Sequence, residues 1–350
     1  MLPQKIVVIL HHNNAIMTTK KELTSVDVFK FVAALMVVAL HTKPFASFPE
    51  TDYWVTALCR IAVPFFFVVS SFFYFKSNKP IAGYLKRLAQ LYVVWLVIES
   101  PIVYMRFFAN SSFIEGLKNF MIGLFLNNTF LASWYLMALL LGMWVVYLLS
   151  KWSPALLYVV GVLCAVLSVS HSAYFHLSDS EGWSTLTAFA SKCFASNSFI
   201  AAIPYCILGR YLALREECLL KKSGSFWFLL VAFVGLAIVE LSLCKHYRFW
   251  SMSDSYFLTD SFLSLYPVAL VLTVLLLAYN LPVNKEASRM MRKMSILVYL
   301  SHPVIATLLM KACGMEHGMT LYLCSALISA PLSFAIVKLS NKIPLLKYLY

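Results

Sequence analysis

Charge is scarce in this chain. Asp, Glu, Lys and Arg make up 12% of its 350 residues, against about a quarter in an ordinary globular protein. With 61% hydrophobic residues and a mean hydropathy of +0.79, that scarcity excludes a water-soluble fold. The eight cysteines (Cys59, Cys164, Cys193, Cys206, Cys218, Cys244, Cys313 and Cys324) include no CxxC pair and no Cys/His ligand spacing. Neither a disulfide framework nor a metal site is expected. No internal repeat, low-complexity tract or Pro/Gly linker divides the sequence, so a single domain is expected. Its first sixteen residues hold only a five-residue apolar run, too short for a signal-peptide core. Met17 opens a second plausible start, MTTKKELTSVD, and His11 and His12 before it carry no functional reading. A basic cluster is also missing: the net charge is +13, but the cations are spread through short loops, which points to membrane topology and not to nucleic acid.

What is present is apolar length. Ten stretches, at 26–42, 54–75, 87–109, 129–150, 154–170, 196–214, 225–244, 261–279, 294–312 and 318–340, approach the roughly 17 to 25 residues of a transmembrane helix. The expected fold is therefore all-α and polytopic, with about ten spans. A cytoplasmic segment over 1–25, partly disordered, precedes a membrane domain over 26–340 and a tail over 341–350. The segment 113–126 (FIEGLKNFMIGLFL) carries Glu115 and Lys118 ahead of a short apolar run and reads as an interfacial helix. Alternate loops on this map hold nineteen and seven Lys or Arg residues, with Lys30 and Arg60 inside spans. That bias places both termini in the cytoplasm.

Inside the first span, VDVFKFVAALMVVALHT, Asp27, Lys30 and His41 stand out. Lys30 and His41 are eleven residues apart, three helical turns plus about 20°, with about 16 Å of rise. Both basic groups therefore share one stripe, with Asp27 at an i, i+3 distance from Lys30. Taken singly, Lys30 reads as a snorkelling anchor and His41 as an interfacial histidine. Ionisable residues gathered on one stripe of a span read as a functional path facing the bundle interior.

Other polar residues fall at matching depths. Arg60 lies about 9 Å below the outer end of the second span and can reach the His41 level. Glu99 is near the middle of the third span beside Pro101, where the missing N–H kinks the helix. Glu99 could alternatively neutralise Arg60 or Lys30. Glu240 near the outer end of the seventh span could face water. His302, mid-depth in the ninth span before Pro303, also reads as a core histidine hydrogen-bonded to a carbonyl.

Four motifs resemble the membrane-bound acyltransferase 3 family. Asp27-x-x-Lys30 followed after ten residues by His41 is similar to the family's Arg or Lys, ten residues, then His. Arg60-Ile-Ala-Val-Pro64-Phe-Phe-Phe-Val-Val-Ser70 resembles its second-span pattern of Arg, Pro, paired Phe and Ser-Gly. Trp134-Tyr135-Leu136 and Ser295-Ile-Leu-Val-Tyr299-Leu-Ser-His302-Pro303 complete the match. Ser71 departs from the pattern, standing where the family has Gly. An Arg-x-x-Arg pair that meets the acyl donor in some members is replaced by Tyr84-Leu85-Lys86-Arg87-Leu88-Ala89-Gln90, where Lys86 and Arg87 could grip a phosphate or serve only as inside anchors.

The resemblance implies O-acyl transfer in the plasma membrane of a bacterium, from cytoplasmic acyl-CoA, acetyl-CoA foremost, to a hydroxyl of an extracytoplasmic glycan or glycolipid. The donor is a substrate, no bound cofactor is expected, and an oligomer is compatible with the family. Acyl transfer to a hydroxyl needs a base and a positive group for the developing oxyanion. His41 suits the base, Arg60 the clamp, and Lys30 the grip on donor phosphate or carbonyl oxygens, with Asp27 pairing Lys30. Glu99, Ser70, Trp134, Tyr299 and His302 are expected along the acyl path, with Lys30, Glu99 and His302 lining one cavity. Direct transfer and an acyl-enzyme on histidine or serine are both open at this point. Asp27-Val-Phe-Lys30-Phe and His41-Thr-Lys-Pro-Phe, around the first span, also resemble the membrane half of the serine racemases of vancomycin resistance. That likeness implies an amino-acid transporter, in which His41, Arg60 and Glu99 hold a zwitterion. A third expectation is an inactive assembly partner of a polysaccharide exporter.

Overall fold

A computed structural model describes residues 23–77, 79–126, 133–247 and 260–350. The expectations for residues 1–22, including Met17, Lys5, Lys20, Lys21 and the two early histidines, lie outside the described residues, as does Arg248. Among the described residues the structure is all helical, without strands. In chain order the helices are α1 (Thr24–Thr42), α2 (Pro49–Cys59), α3 (Ala62–Lys76), α4 (Ile81–Ile98), α5 (Ser100–Phe107), α6 (Phe113–Leu126), α7 (Trp134–Trp152), α8 (Pro154–Ser170) and α9 (Glu181–Lys192). They continue with α10 (Phe199–Lys221), α11 (Ser223–Tyr247), α12 (Leu265–Ala278), α13 (Lys285–Cys313) and α14 (Met319–Leu339).

Seven of the described helical segments are long and apolar enough to cross a membrane, counting α2 and α3 as one, or eight if the bent pair of α9 and α10 is a single span. Two further apolar helices, α8 and α12, are shorter at 17 and 14 residues. Every one of the ten apolar stretches overlaps one of these helices, and the segment over 113–126 is α6.

Prolines decide where the polar residues sit. Pro64 has no N–H for the carbonyl of Arg60, four residues back, and the chain breaks there: α2 ends at Cys59 and α3 begins at Ala62. Pro101 acts similarly, since α4 ends at Ile98 and α5 starts at Ser100, leaving Glu99 at the joint. Pro303, by contrast, lies within the continuous helix α13.

Helix α10 is the hub. It packs on α3, α7, α8 and α12, while α1 packs on α13 and α13 on α14. At the α3 crossing, Gly209 meets the backbone of Val68 and Phe72, and the Ser71 hydroxyl donates to the Cys206 carbonyl at 2.6 Å. The small residue this crossing requires is supplied by α10, so Ser is accommodated at position 71. Peripheral α4 and α11 turn most of their apolar residues outward, as lipid-facing helices do.

Candidate active site

The first and thirteenth helices are held in parallel register. The Ser288 hydroxyl donates to Asp27 at 2.8 Å, and fourteen residues further along each helix the His41 and His302 rings meet with centroids 5.2 Å apart. Equal steps on both chains over about 21 Å of rise mean that the two helices run side by side in one direction. The start of α1 is also tied to the loop before α13. Thr24 donates to the Leu281 carbonyl at 2.6 Å, Ser25 to the Tyr279 carbonyl, and the Leu281 N–H to Ser25 Oγ at 2.8 Å.

His302 is fully buried. Its Nδ1 lies 2.7 Å from the Tyr299 carbonyl and 3.2 Å from that of Val298. Carbonyl oxygens only accept, so Nδ1 carries the proton and Nε2 keeps its lone pair. That Nε2 is buried without a hydrogen-bond partner among the described residues. The core-histidine reading thus holds for one ring nitrogen only. Because α1 ends at Thr42 while α13 runs on to Cys313, the histidine pair joins the end of one helix to the interior of another. The Gly318 N–H donates to the Thr42 carbonyl at 2.9 Å, bringing the 314–318 loop and His317 to the same end, within electrostatic reach of His41.

An aromatic wall continues from the pair. Tyr299 meets His302 at 6.1 Å and Tyr135 at 5.3 Å between centroids. Tyr135 lies against Phe67 at 4.9 Å, and its hydroxyl is 3.5 Å from Ser70 Oγ. Tyr299 thus adjoins His302, Ser70 joins the wall through Tyr135, and Trp134 packs nearby on Phe67 at 6.0 Å.

Arg60 has a different partner from those the sequence suggested. Its guanidinium pairs with Asp260 at 2.5 Å, and Asp260 also accepts from Asn197 Nδ2 at 3.1 Å. The three groups face a recess also lined by Leu40, Trp134 and Tyr205. Leu40 is His41's neighbour, so Arg60 does reach the His41 level. At the rim, the Ser196 N–H donates to His171 Nδ1 at 3.1 Å.

Several expected site residues have other surroundings than the sequence suggested. Asp27 sits at the far end of α1 from His41, where parallel α13 adds Arg292 at 3.6 Å and Ser288 at 2.8 Å to its partners while Lys30 stays within its electrostatic reach. The Lys30 ammonium lies over the Phe73 ring, 4.9 Å from its centroid. Glu99 neutralises neither cation. Buried at the α4–α5 joint, with neither carboxylate oxygen hydrogen-bonded among the described residues, it belongs to a helix that packs on α7 and the C-terminal turn. Neither the recess at Arg60 and Asp260 nor the one between α4, α5 and α6 is lined by Lys30, Glu99 or His302. Glu240 does not face water alone: it accepts from Tyr174 at 2.5 Å, from the Leu263 and Ser264 N–H groups at 2.6 and 2.8 Å, and from the Ser264 hydroxyl, which caps the start of α12.

Lys86 and Arg87 are exposed near the start of α4. Arg87 reaches the Tyr350 carbonyl at 3.5 Å, and Trp95 donates to Leu349 at 3.1 Å. They lie well outside the histidine cluster. Sequence reasoning missed Asp260, Asn197, Tyr135 and His317. Tyr135 stood in a quoted motif, and its signal was there to be used; the other three stand in or beside loops, where polar residues read as solvated.

The family model described as an acyltransferase domain matches residues 23–338, nearly the whole chain. The chain belongs to this acyltransferase family. Curated relatives of the acyltransferase chain include two amino-acid racemases of Enterococcus faecalis. One is 27% identical over 220 residues, covering 59% of this chain and 30% of the relative; the other is 28% identical over 150 residues, covering 38% and 20%. A serine/alanine racemase of Enterococcus gallinarum is 31% identical over 88 residues, 22% of this chain and 13% of the relative. The match thus spans less than a third of each relative's length. No solved structure matches. Family and helices together make this a multi-pass membrane protein of acyltransferase type.

Proposed function

We propose that the protein moves an acyl group, acetyl foremost, from cytoplasmic acyl-CoA to a hydroxyl of an extracytoplasmic cell-envelope glycan or glycolipid. The setting is a bacterial plasma membrane, with ten spans and both termini inside. The observation that carries the reading is the His41–His302 pair, one imidazole at a helix end and the other with its Nε2 lone pair buried and unspent. In the reaction His41 takes the acceptor hydroxyl's proton as the oxygen attacks the thioester carbonyl. Once protonated, His41 carries a second N–H, for which His302 Nε2 is the available acceptor. Collapse of the tetrahedral intermediate breaks the C–S bond, and the departing thiolate takes the proton back. Arg60 works as part of a neutral ion pair with Asp260, so it orients the acceptor or the oxyanion through hydrogen bonds more than through net charge. Lys30, lower on α1, holds donor oxygens.

A second reading rests on the racemase-named relatives and on the Arg60–Asp260 pair. A cation beside an anion could exchange partners with the two ends of an amino-acid zwitterion, which would make the chain a transporter.

The deciding experiment supplies labelled acetyl-CoA to inverted membrane vesicles carrying the protein or its His41→Ala form, with extracted envelope glycans and glycolipids, and counts alkali-labile label. His41-dependent label supports acyl transfer. No label with any acceptor, alongside serine accumulating in reconstituted vesicles, supports transport and refutes the first reading.

A further inference from the structure

In an unbroken helix the N–H of residue 303 would bond the carbonyl of residue 299. Pro303 has no N–H, so the Tyr299 carbonyl, inside a fully buried stretch of α13, is left to find another donor. It finds His302 Nδ1, at 2.7 Å. The carbonyl of Val298, engaged by the His302 backbone in a regular helix, is a weaker second contact at 3.2 Å. Two consequences are linked. A buried carbonyl that would cost free energy if unmet is satisfied, and the imidazole that satisfies it is held in one tautomer by its own helix. Its distal Nε2 is thereby an acceptor, buried and without a hydrogen-bond partner among the described residues, with the ring against that of His41.

We propose that Pro303 is a positioning residue: by withholding an N–H from the Tyr299 carbonyl it assigns the His302 proton to Nδ1 and commits Nε2 as the proton acceptor of the His41–His302 pair. The opposite tautomer would present an N–H to His41 and block the turn of its second N–H. Use of the pair in catalysis rests on the acyl-transfer reading, whereas the tautomer does not. Pro303→Ala restores the backbone donor, which competes for the Tyr299 carbonyl without removing any ring contact. Since Pro is the poorest helix former and Ala the best, the variant is expected to fold.

The test is solid-state NMR of the full-length protein in lipid vesicles, labelled with 15N-histidine, with His302→Gln identifying the His302 signals by difference. Wild type should show His302 protonated at Nδ1 and bare at Nε2, in a single population. Pro303→Ala should add a second population protonated at Nε2. In the vesicle assay it should lower kcat several-fold, leaving KM for acyl-CoA unchanged. A wild-type His302 protonated at Nε2, or a Pro303→Ala spectrum identical to wild type, overturns the proposal. The expected tautomers with no acyl transfer by wild type would retain the positioning role and discard the acyltransferase reading.

Discussion

Among the described glycines Gly209 leaves the least room for a side chain, and a single methyl group tests it. At Gly209, a Cβ would come closest to the Val68 carbonyl oxygen, 2.7 Å from the Ser71 Cβ and 3.0 Å from the Phe72 nitrogen. Two of these obstacles are backbone atoms of α3, which cannot swing aside. Overpacking a core costs about 1–3 kcal/mol and occasionally more, and immovable neighbours place this site at or above the upper end, about 3 kcal/mol. Ala is favoured over Gly by about 1 kcal/mol in a helix, so Gly209→Ala should destabilise by about 2 kcal/mol or more. Thermal unfolding in detergent micelles, read against Gly235→Ala, isolates the clash. Gly235 is also helical but has nothing within 4 Å of its added Cβ, so that variant should match or exceed wild type. Ser71→Gly should recover only part of the loss in the double variant, because it removes one obstacle and also the hydrogen bond to Cys206. Unchanged stability of Gly209→Ala, or complete rescue by Ser71→Gly, would refute the close crossing of α3 and α10.

In the vesicle assay, His41→Ala should lower acyl transfer by roughly the 10²- to 10⁴-fold that a general base contributes, with normal membrane insertion; retained activity removes His41 from the mechanism. Asp260→Ala should destabilise the fold by about 1–3 kcal/mol, the cost of leaving the half-buried Arg60 guanidinium without that carboxylate, since the Arg60 and Asp260 side chains are 21% and 5% exposed. The cycle with Arg60→Met should show that the double variant loses less than the sum of the singles, and additivity would deny the pairing. Lys30→Arg should keep KM for acyl-CoA near wild type while Lys30→Leu raises it, because the position over Phe73 tolerates either cation. Equal behaviour of the two would end the assignment of donor oxygens to Lys30.

The stripe of Asp27, Lys30 and His41 was legible because a helix period is a local property, and so was the proline break beside Glu99. The break that Pro64 makes beside Arg60, by contrast, falls inside a stretch that reads as one span. Partners were less legible, since they depend on which helices become neighbours. The Asp27–Lys30 proximity followed from spacing within α1, but Ser288 and Arg292, which parallel α13 brings to the same carboxylate, could not be foreseen. Asp260 stands at the very edge of a span, where an acid reads as solvated until Arg60 and Asn197 are seen to face it. Glu99 looked like a counter-ion by depth alone, yet depth does not say on which side of the bundle a helix lies. The span count met a related limit, because apolar α12, at 14 residues, is shorter than a bilayer core demands and α8, at 17, stands at the lower limit. The register of α1 against α13 shows what tertiary structure adds. Ser288 and His302 are separated by the same fourteen residues as Asp27 and His41, so two motifs from opposite ends of the chain meet at two levels at once. A one-residue slip would turn each partner about 100° around its helix and break both meetings. The Asp27 contacts at one end therefore hold the histidines together at the other, and weakening them should act on the site without touching it.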